Sequence, residues 1–227
     1  MNGKDLIGKI IQYLILYDDL HEHHKNFNRF VQSPSINTVQ SGWKIVKFAD
    51  KLKDMVCILI GCTREQLEDE TFKNTELGEE WNSVFNYKKN FYTPRKLLQI
   101  IGTDLLRNQL HPQVWVNATM ADYKEKIREI VKSYEEEPDS SKAYIKEKYY
   151  PNWIITDVRF PNEAEAVKER NGILIRVNRP STESDDKHPS EVALDDYKDF
   201  DYIIQNDNSI EDLIQKVKDI LIKEQII

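Results

Sequence analysis

Cysteine is nearly absent: Cys57 and Cys62 are the only two in the chain. They have neither zinc-site nor redox-pair spacing and fall in an apolar stretch, so they read as buried thiols in a reducing cytoplasm. No hydrophobic run approaches the length of a membrane span and no secretory leader is visible, which makes a cytosolic protein the expectation. Positive charge is in deficit too, with 32 Lys and Arg against 39 Asp and Glu and a formal net charge of −7. Nucleic-acid binding would want a basic face, so neither nucleic acid nor membrane is an expected partner. Any anionic substrate must be met by local arginines. Also lacking are a Ser-His-Asp nucleophile elbow, paired zinc ligands and a G-x-G-x-x-G fingerprint, which leaves hydrolase and oxidoreductase readings unsupported. His21, His23 and His24 lie with Glu22 in a polar stretch without a fourth ligand at regular spacing, which reads as a solvated loop rather than a zinc site.

What is present suits one α/β domain with insertions, since 227 residues at 40% hydrophobic content can bury an ample core. The organising stretch runs from Asn152 to Glu163. Trp153 to Ile155 reads as a strand buried on both faces. Pro161 opens the next helix and Asn171-Gly172 closes it. Asp157 and Arg159 then stand just past the strand's carboxyl end, the edge where open α/β sheets bind ligands. A second strand, Ile173 to Val177, follows at once and leads through Arg176 to Arg179-Pro180. A lone Asp here would suggest only a generic strand–helix–strand unit. An acid with several arginines at adjacent strand ends points to a phosphate site.

The remaining chain adds pieces on either side. Leu6, Ile7, Ile10, Ile11 and Leu14 recur at helical spacing, so a helix begins almost at the first residue. Gly3-Lys4 entering it looks like the last half of a phosphate-binding loop, with Asp5 or Leu6 where a hydroxyl belongs. Trp43 to Phe48 alternates as a strand and places Lys47 at its end. Thr63 to Asn90 reads as a short helix and an irregular insertion. Thr93 caps a helix that Pro94 begins. Gly102 interrupts that helix, for a close-approaching ligand or a simple kink. Thr103 and Arg107, one turn apart, could grip one anion. Ala118 to Glu137 reads as an amphipathic helix and Asp139 to Tyr150 as a linker. Ser181 to Ser190, with Asp185, His188 and the following Glu191, reads as a loop over the strand ends. A last strand at Asp201 to Asn206 precedes a helix capped by Ser209 and Asp212.

Several of these segments together resemble the bacteriophage-type deoxynucleoside monophosphate kinases. They are Leu98 to Asp104 through Arg107, Thr156-Asp157-Val158-Arg159-Phe160-Pro161-Asn162-Glu163, Arg176 to Pro180 and Asp186 to Glu191, with Lys47 to Asp50 and Leu52-Lys53 beside them. The resemblance runs in order through nearly the whole chain. It implies a P-loop kinase fold (a three-layer α/β/α arrangement with a mostly parallel sheet) over residues 1–227, with a helical substrate-binding region at about 63–150. It implies transfer of the ATP γ-phosphoryl to a deoxynucleoside monophosphate with Mg²⁺ by a homodimer, in the host cytoplasm if phage-encoded. Carried over by position, Lys4, Arg107, Asp157 and Arg159 would be catalytic, with Asp157 at the metal. Gly3, Lys4, Asp5, Arg176 and Arg179 would face ATP. Lys47, Phe48, Thr103, Asp104, Arg107, Asp157, Arg159, His188 and Glu191 would serve the monophosphate. The family's first strand and complete glycine loop are not in the sequence. The expectation is therefore a start at an internal methionine, a gap in the middle of the sheet and impaired activity. A non-catalytic relic that binds a nucleotide or a protein partner, or a P-loop kinase for another small acceptor, are the other readings.

Overall fold

The computed structural model describes residues 3–17, 27–31, 41–81, 83–85, 88–132, 143–178 and 192–227, and every structural statement refers to these. Helices α1 (Gly3–Tyr17) and α2 (Phe27–Val31) precede strand β1 (Trp43–Val46) and helix α3 (Asp50–Ile60). Short helices α4 (Arg64–Glu68) and α5 (Glu70–Asn74), a 3₁₀ turn and a small hairpin of β2 (Ser83–Phe85) and β3 (Lys88–Asn90) follow. Helix α6 (Pro94–Gln99) runs directly into a π-helix, Ile100–Leu110, and then α7 (Val114–Met120). An antiparallel ribbon of β4 (Lys126–Lys132) and β5 (Ala143–Tyr149) leads to β6 (Asn152–Ile155), α8 (Pro161–Lys168), β7 (Ile175–Asn178), β8 (Tyr202–Gln205) and α9 (Ile210–Lys223).

The apolar stripe of α1 is buried at Ile7, Ile10, Ile11 and Leu14, one face of a 3.6-residue period. It packs on α9, which buries Leu213, Ile214, Val217, Ile220 and Leu221. Ser209 starts α9 by accepting the N–H of Asp212. These two helices with Phe27, Phe30, Ile154 and Ile204 make the main core. A second cluster joins Leu52, Val56, Cys57, Leu67 and Trp115. Cys57 is buried there, its Sγ 3.7 Å from that of half-buried Cys62, and both are free thiols as the sequence suggested.

The strands form parallel pairs. β1 lies beside β6, with Trp43 opposite Asn152 and Val46 opposite Ile155. β7 lies beside β8, with Ile175 opposite Tyr202 and Asn178 opposite Gln205. Among the described residues β6 and β7 do not pair, although only α8 and its turns separate them in sequence. Between them is a cavity of about 590 Å³. Its walls come from Trp153, Ile154 and Ile155 of β6 and from Ile175 and Val177 of β7, with Ile7 and Ile11 of α1 against them. The fold is thus a mixed helix–strand one with small parallel sheets.

Three expectations are corrected. Residues 118–137 are not one helix: α7 ends at Met120 and Lys126–Lys132 is a strand. The apolar spacing that suited a helix face is met instead by cross-strand pairing, with Ile130 opposite Ile145 and Arg128 ion-paired to Glu147. The 139–150 linker is accordingly strand over Ala143–Tyr149, and the 63–150 region is helical only in part. Gly102, for which the sequence leaves a close-approaching ligand or a kink open, lies in the π-helix against Leu52. A Cβ there would stand 2.6 Å from Leu52 Cδ2, and its carbonyl accepts the Trp115 indole N–H at 2.7 Å.

Candidate active site

Because β1 and β6 run parallel and in register, their carboxyl ends deliver Lys47 and Thr156 to the same edge. The first turn of α1 comes to that edge as well. Gly8 permits the approach, since a Cβ there would lie 2.8 Å from Thr156 Cγ2. Asp5 Oδ1 accepts the Thr156 hydroxyl at 2.8 Å and pairs with Lys47 Nζ at 2.8 Å. Burial alone would raise the Asp5 pKa, but the Lys47 ammonium and Thr156 hydroxyl outweigh it and hold the group below the ordinary carboxylate range. Lys4 lies beside this cluster, exposed in the helix's first turn, where the dipole also favours an anion.

One residue further along, Asp157 turns both oxygens onto backbone. Oδ1 accepts the N–H of Phe48 at 2.8 Å and Oδ2 that of Ala49 at 3.0 Å. The residue as a whole is half-buried, but its carboxylate is enclosed, and burial pushes its pKa up against the pull of those bonds and of Arg159. Asp157 therefore fixes the turn that carries Lys47. Phe48 itself is core, 2% exposed and packed with Val116 and Ala166.

Arg107 is 8% exposed and held at both Nη atoms. Its Nη2 donates to Glu163 Oε1 at 2.5 Å and its Nη1 to Asn162 Oδ1 at 3.0 Å, while the guanidinium lies 3.6 Å from the Phe160 ring centroid. Its Nε is buried with no partner among the described residues. Glu163, 3% exposed, also accepts the N–H groups of Arg159 and Phe160 at 2.8 and 3.2 Å. Burial raises its pKa, opposed by the Arg159 N–H and the Arg107 charge. The pair thus ties the π-helix to the 156–160 turn.

The candidate residues divide accordingly. Lys4, Asp5, Lys47, Asp157 and Arg159 converge on one strand-end edge. Thr103 and Arg107 share the buried face of the π-helix, and Asp104 is exposed. Arg176 is engaged elsewhere, donating to Leu194 O at 2.9 Å and to Asp195 Oδ1 at 3.3 Å. Arg179, His188, Glu191 and the histidines at 21, 23 and 24 lie outside the described residues. Thr156 and Glu163 join the site although the resemblance implies no role for either. Their signal was their place, one at the end of a strand and the other at the third position of the helix that Pro161 opens. Among the described residues no cluster of three or more His, Cys, Asp or Glu is arranged to hold a metal, and no helix is long and apolar enough to cross a membrane.

A family model described as deoxynucleotide monophosphate kinase matches residues 35–217. The chain is 32% identical over 173 residues to a protein of Acanthamoeba polyphaga mimivirus whose name provisionally assigns the same activity, covering 75% of this chain and 78% of that one. It is 30% identical over 138 residues to the deoxynucleotide monophosphate kinase of Enterobacteria phage T4, covering 61% of this chain and 49% of the phage protein. The deoxynucleoside-5'-monophosphate kinase of Escherichia phage T5 is 33% identical over 113 residues, 46% of this chain and 36% of that protein. The chain spans about half the length of the T4 protein, and less of the T5 one. With the family model matched over most of its length, the chain belongs to the deoxynucleotide monophosphate kinase family.

Proposed function

We propose that the chain transfers the γ-phosphoryl of ATP to a deoxynucleoside monophosphate, giving the diphosphate, as one P-loop kinase-like domain of three layers. The observation that carries this reading is the meeting of Lys4, Asp5, Lys47, Thr156, Asp157 and Arg159 at one strand-end edge. Phosphoryl transfer asks for positioning and charge neutralisation rather than a protein nucleophile, and these groups supply both. Lys4 and the first turn of α1 would bind the ATP phosphates, and Lys47 and Arg159 would orient the two substrates from the strand ends. The resemblance assigns Mg²⁺ to Asp157, whose two oxygens already accept the Phe48 and Ala49 N–H groups; a metal would use a remaining lone pair there, neutralise phosphate charge when bound and favour the ionised carboxylate.

Arg107 takes part by holding the 156–160 turn through Glu163, a positioning role beneath the monophosphate pocket we assign to Thr103 and Asp104. By the resemblance Arg179 would serve ATP and His188 and Glu191 the monophosphate, and Arg176 would support the ATP side through its hold on 194–195. The protein would act in a host cytoplasm, and a homodimer agrees with the family resemblance.

The two parallel pairs read as halves of one sheet whose central strand belongs between β6 and β7. That separation favours a second reading, a relic that binds a monophosphate without turning over ATP. Coupled turnover with ATP, Mg²⁺ and each deoxynucleoside monophosphate separates the two. It is run on the chain as given and on one extended upstream by a strand and a full glycine loop, each with a Lys4→Met control. We expect Lys4-dependent turnover in the extended form. Silence in both, with monophosphate binding retained by calorimetry, would leave the relic standing.

A further inference from the structure

The turn that carries Lys47 is held from two directions. Asp157 reaches it from the end of β6 and takes the Phe48 and Ala49 N–H groups. Asp50, in the first turn of α3, takes the Lys47 N–H. Its Oδ2 accepts that group at 3.0 Å, and its own N–H donates to the Lys47 carbonyl at 3.2 Å. These reciprocal bonds close residues 47–50 into a turn, from which Lys47 Nζ reaches Asp5 at 2.8 Å. Asp157 is enclosed by the fold, but Asp50 is half-exposed and needs a hold of its own.

Arg64 supplies it. Gly61, at φ 69° in the left-handed region, ends α3 and turns the chain back toward the helix it has just left. Thr63 caps α4 through a capping box with Gln66, which puts Arg64 in the first turn of α4. From there one guanidinium reaches back along α3. Nη2 donates to Asp50 Oδ1 at 2.9 Å, and Nη1 donates to the Asp50 carbonyl at 2.8 Å and to Asp54 Oδ1 at 3.1 Å. Glu68, one turn along α4, accepts from Nη2 at 3.5 Å. The two oxygens of Asp50 therefore divide, one facing the guanidinium and the other the Lys47 amide. An isolated ion pair at this exposure adds little stability. A planar fork that grips both the carboxylate and the carbonyl of one residue fixes its orientation instead. We propose that Arg64 is a positioning residue for the strand-end site. It sets Asp50, Asp50 sets the Lys47 backbone, and the Lys47 ammonium is thereby aimed at the anion that the edge receives. The last link rests on the reading of Lys47 as a group that serves the monophosphate; the resemblance gives Arg64 no role.

Two measurements on the full chain test this. The first is hydrogen exchange of the Lys47 amide in Arg64→Ala, followed by nuclear magnetic resonance, with the amide of fully buried Val217 in α9 as control. Exchange at Lys47 should quicken by at least about tenfold while that at Val217 stays as in the parent, because the loss is local. The second is calorimetric titration with the four common deoxynucleoside monophosphates in turn, and the one that the parent binds most tightly is carried through the variants. Lys47→Met should weaken binding by about tenfold and Arg64→Ala by about two- to fivefold. Arg64→Ala should weaken it no further once Asp50→Ala is in place, since the arginine acts through that carboxylate. Three results overturn the proposal and leave the reading of Lys47 standing: an unchanged Lys47 amide, equal changes at Lys47 and Val217, or parent-like binding by Arg64→Ala when Lys47→Met has lost affinity. Additive losses in the double variant overturn the relay through Asp50. No monophosphate binding by the parent, or none lost in Lys47→Met, overturns the reading of Lys47 and the proposal together.

Discussion

At the scale of single residues, Arg107 looks like a phosphate ligand in sequence and is built as an internal tie. Its charge is neutralised by Glu163 in a place where neither side chain sees much water. Removing one partner of such a pair strands the other charge, a loss of typically 3–5 kcal/mol. Arg107→Ala should lower the urea unfolding free energy by about that amount, and by more than Lys4→Ala, which removes an exposed side chain. Equal losses from the two would contradict the buried-tie description. Asp201 makes a second residue-level prediction. Burial raises its pKa, but the Leu174 N–H and the Lys168 ammonium bring it below its ordinary value of 3.8. A depressed acid stabilises the fold above its unfolded pKa and loses that contribution as pH falls through the lower folded value. Asp201→Asn should therefore flatten the acid limb of a Tm-against-pH curve below about 3.8 while leaving its neutral portion parallel to the parent. The sequence made Asp157, Arg159 and Arg107 visible as special because of their type and their place after a strand or on a helix face. It did not reveal their partners. Arg107 meets a carboxylate 56 positions away, and Asp157 two backbone N–H groups more than a hundred positions away.

At the scale of elements, periodicity was a good guide wherever one face was buried. The stripes of α1 and α9 and the capping by Thr93 and Ser209 came out as the spacing predicts; Trp153 to Ile155 is a strand, but of its residues only Ile154 is buried, not both faces. It failed in the β4–β5 ribbon, where Ile127 is exposed and none of the side chains described is buried, so nothing separates a period of 3.6 from one of 2. Two-stranded ribbons are stabilised by cross-strand pairs, which a linear pattern does not display. The Gly102 contact was also hidden, because the close neighbour is Leu52 on another helix. This gives an element-level prediction. Gly102→Ala forces a methyl against Leu52 and should cost about 1–3 kcal/mol of stability as overpacking. Leu52→Val in the same chain should recover part of that loss, a coupling readable in a double-mutant cycle by chemical denaturation. Additive losses would mean that the two side chains do not compete for the same space.

At the scale of the whole molecule, two parallel pairs are held together mainly by helices rather than by one continuous ladder. The order of the pieces was legible, since each strand and each following helix has its own local signature. The separation between β6 and β7 was expected only from the family resemblance, because no local signal in either strand records which neighbour it has. The cavity that results has a physical consequence of its own. Empty volume inside a folded chain disappears on unfolding, so the unfolded state is the smaller one and compression favours it. A fold with about 590 Å³ between its two strand pairs should unfold with a volume change toward the large end of the usual range, about −100 mL/mol, measured by tryptophan emission under pressure. A value near −20 mL/mol would mean that the space closes or fills with water in solution. Hydrostatic pressure is therefore a stress that acts directly on this architecture.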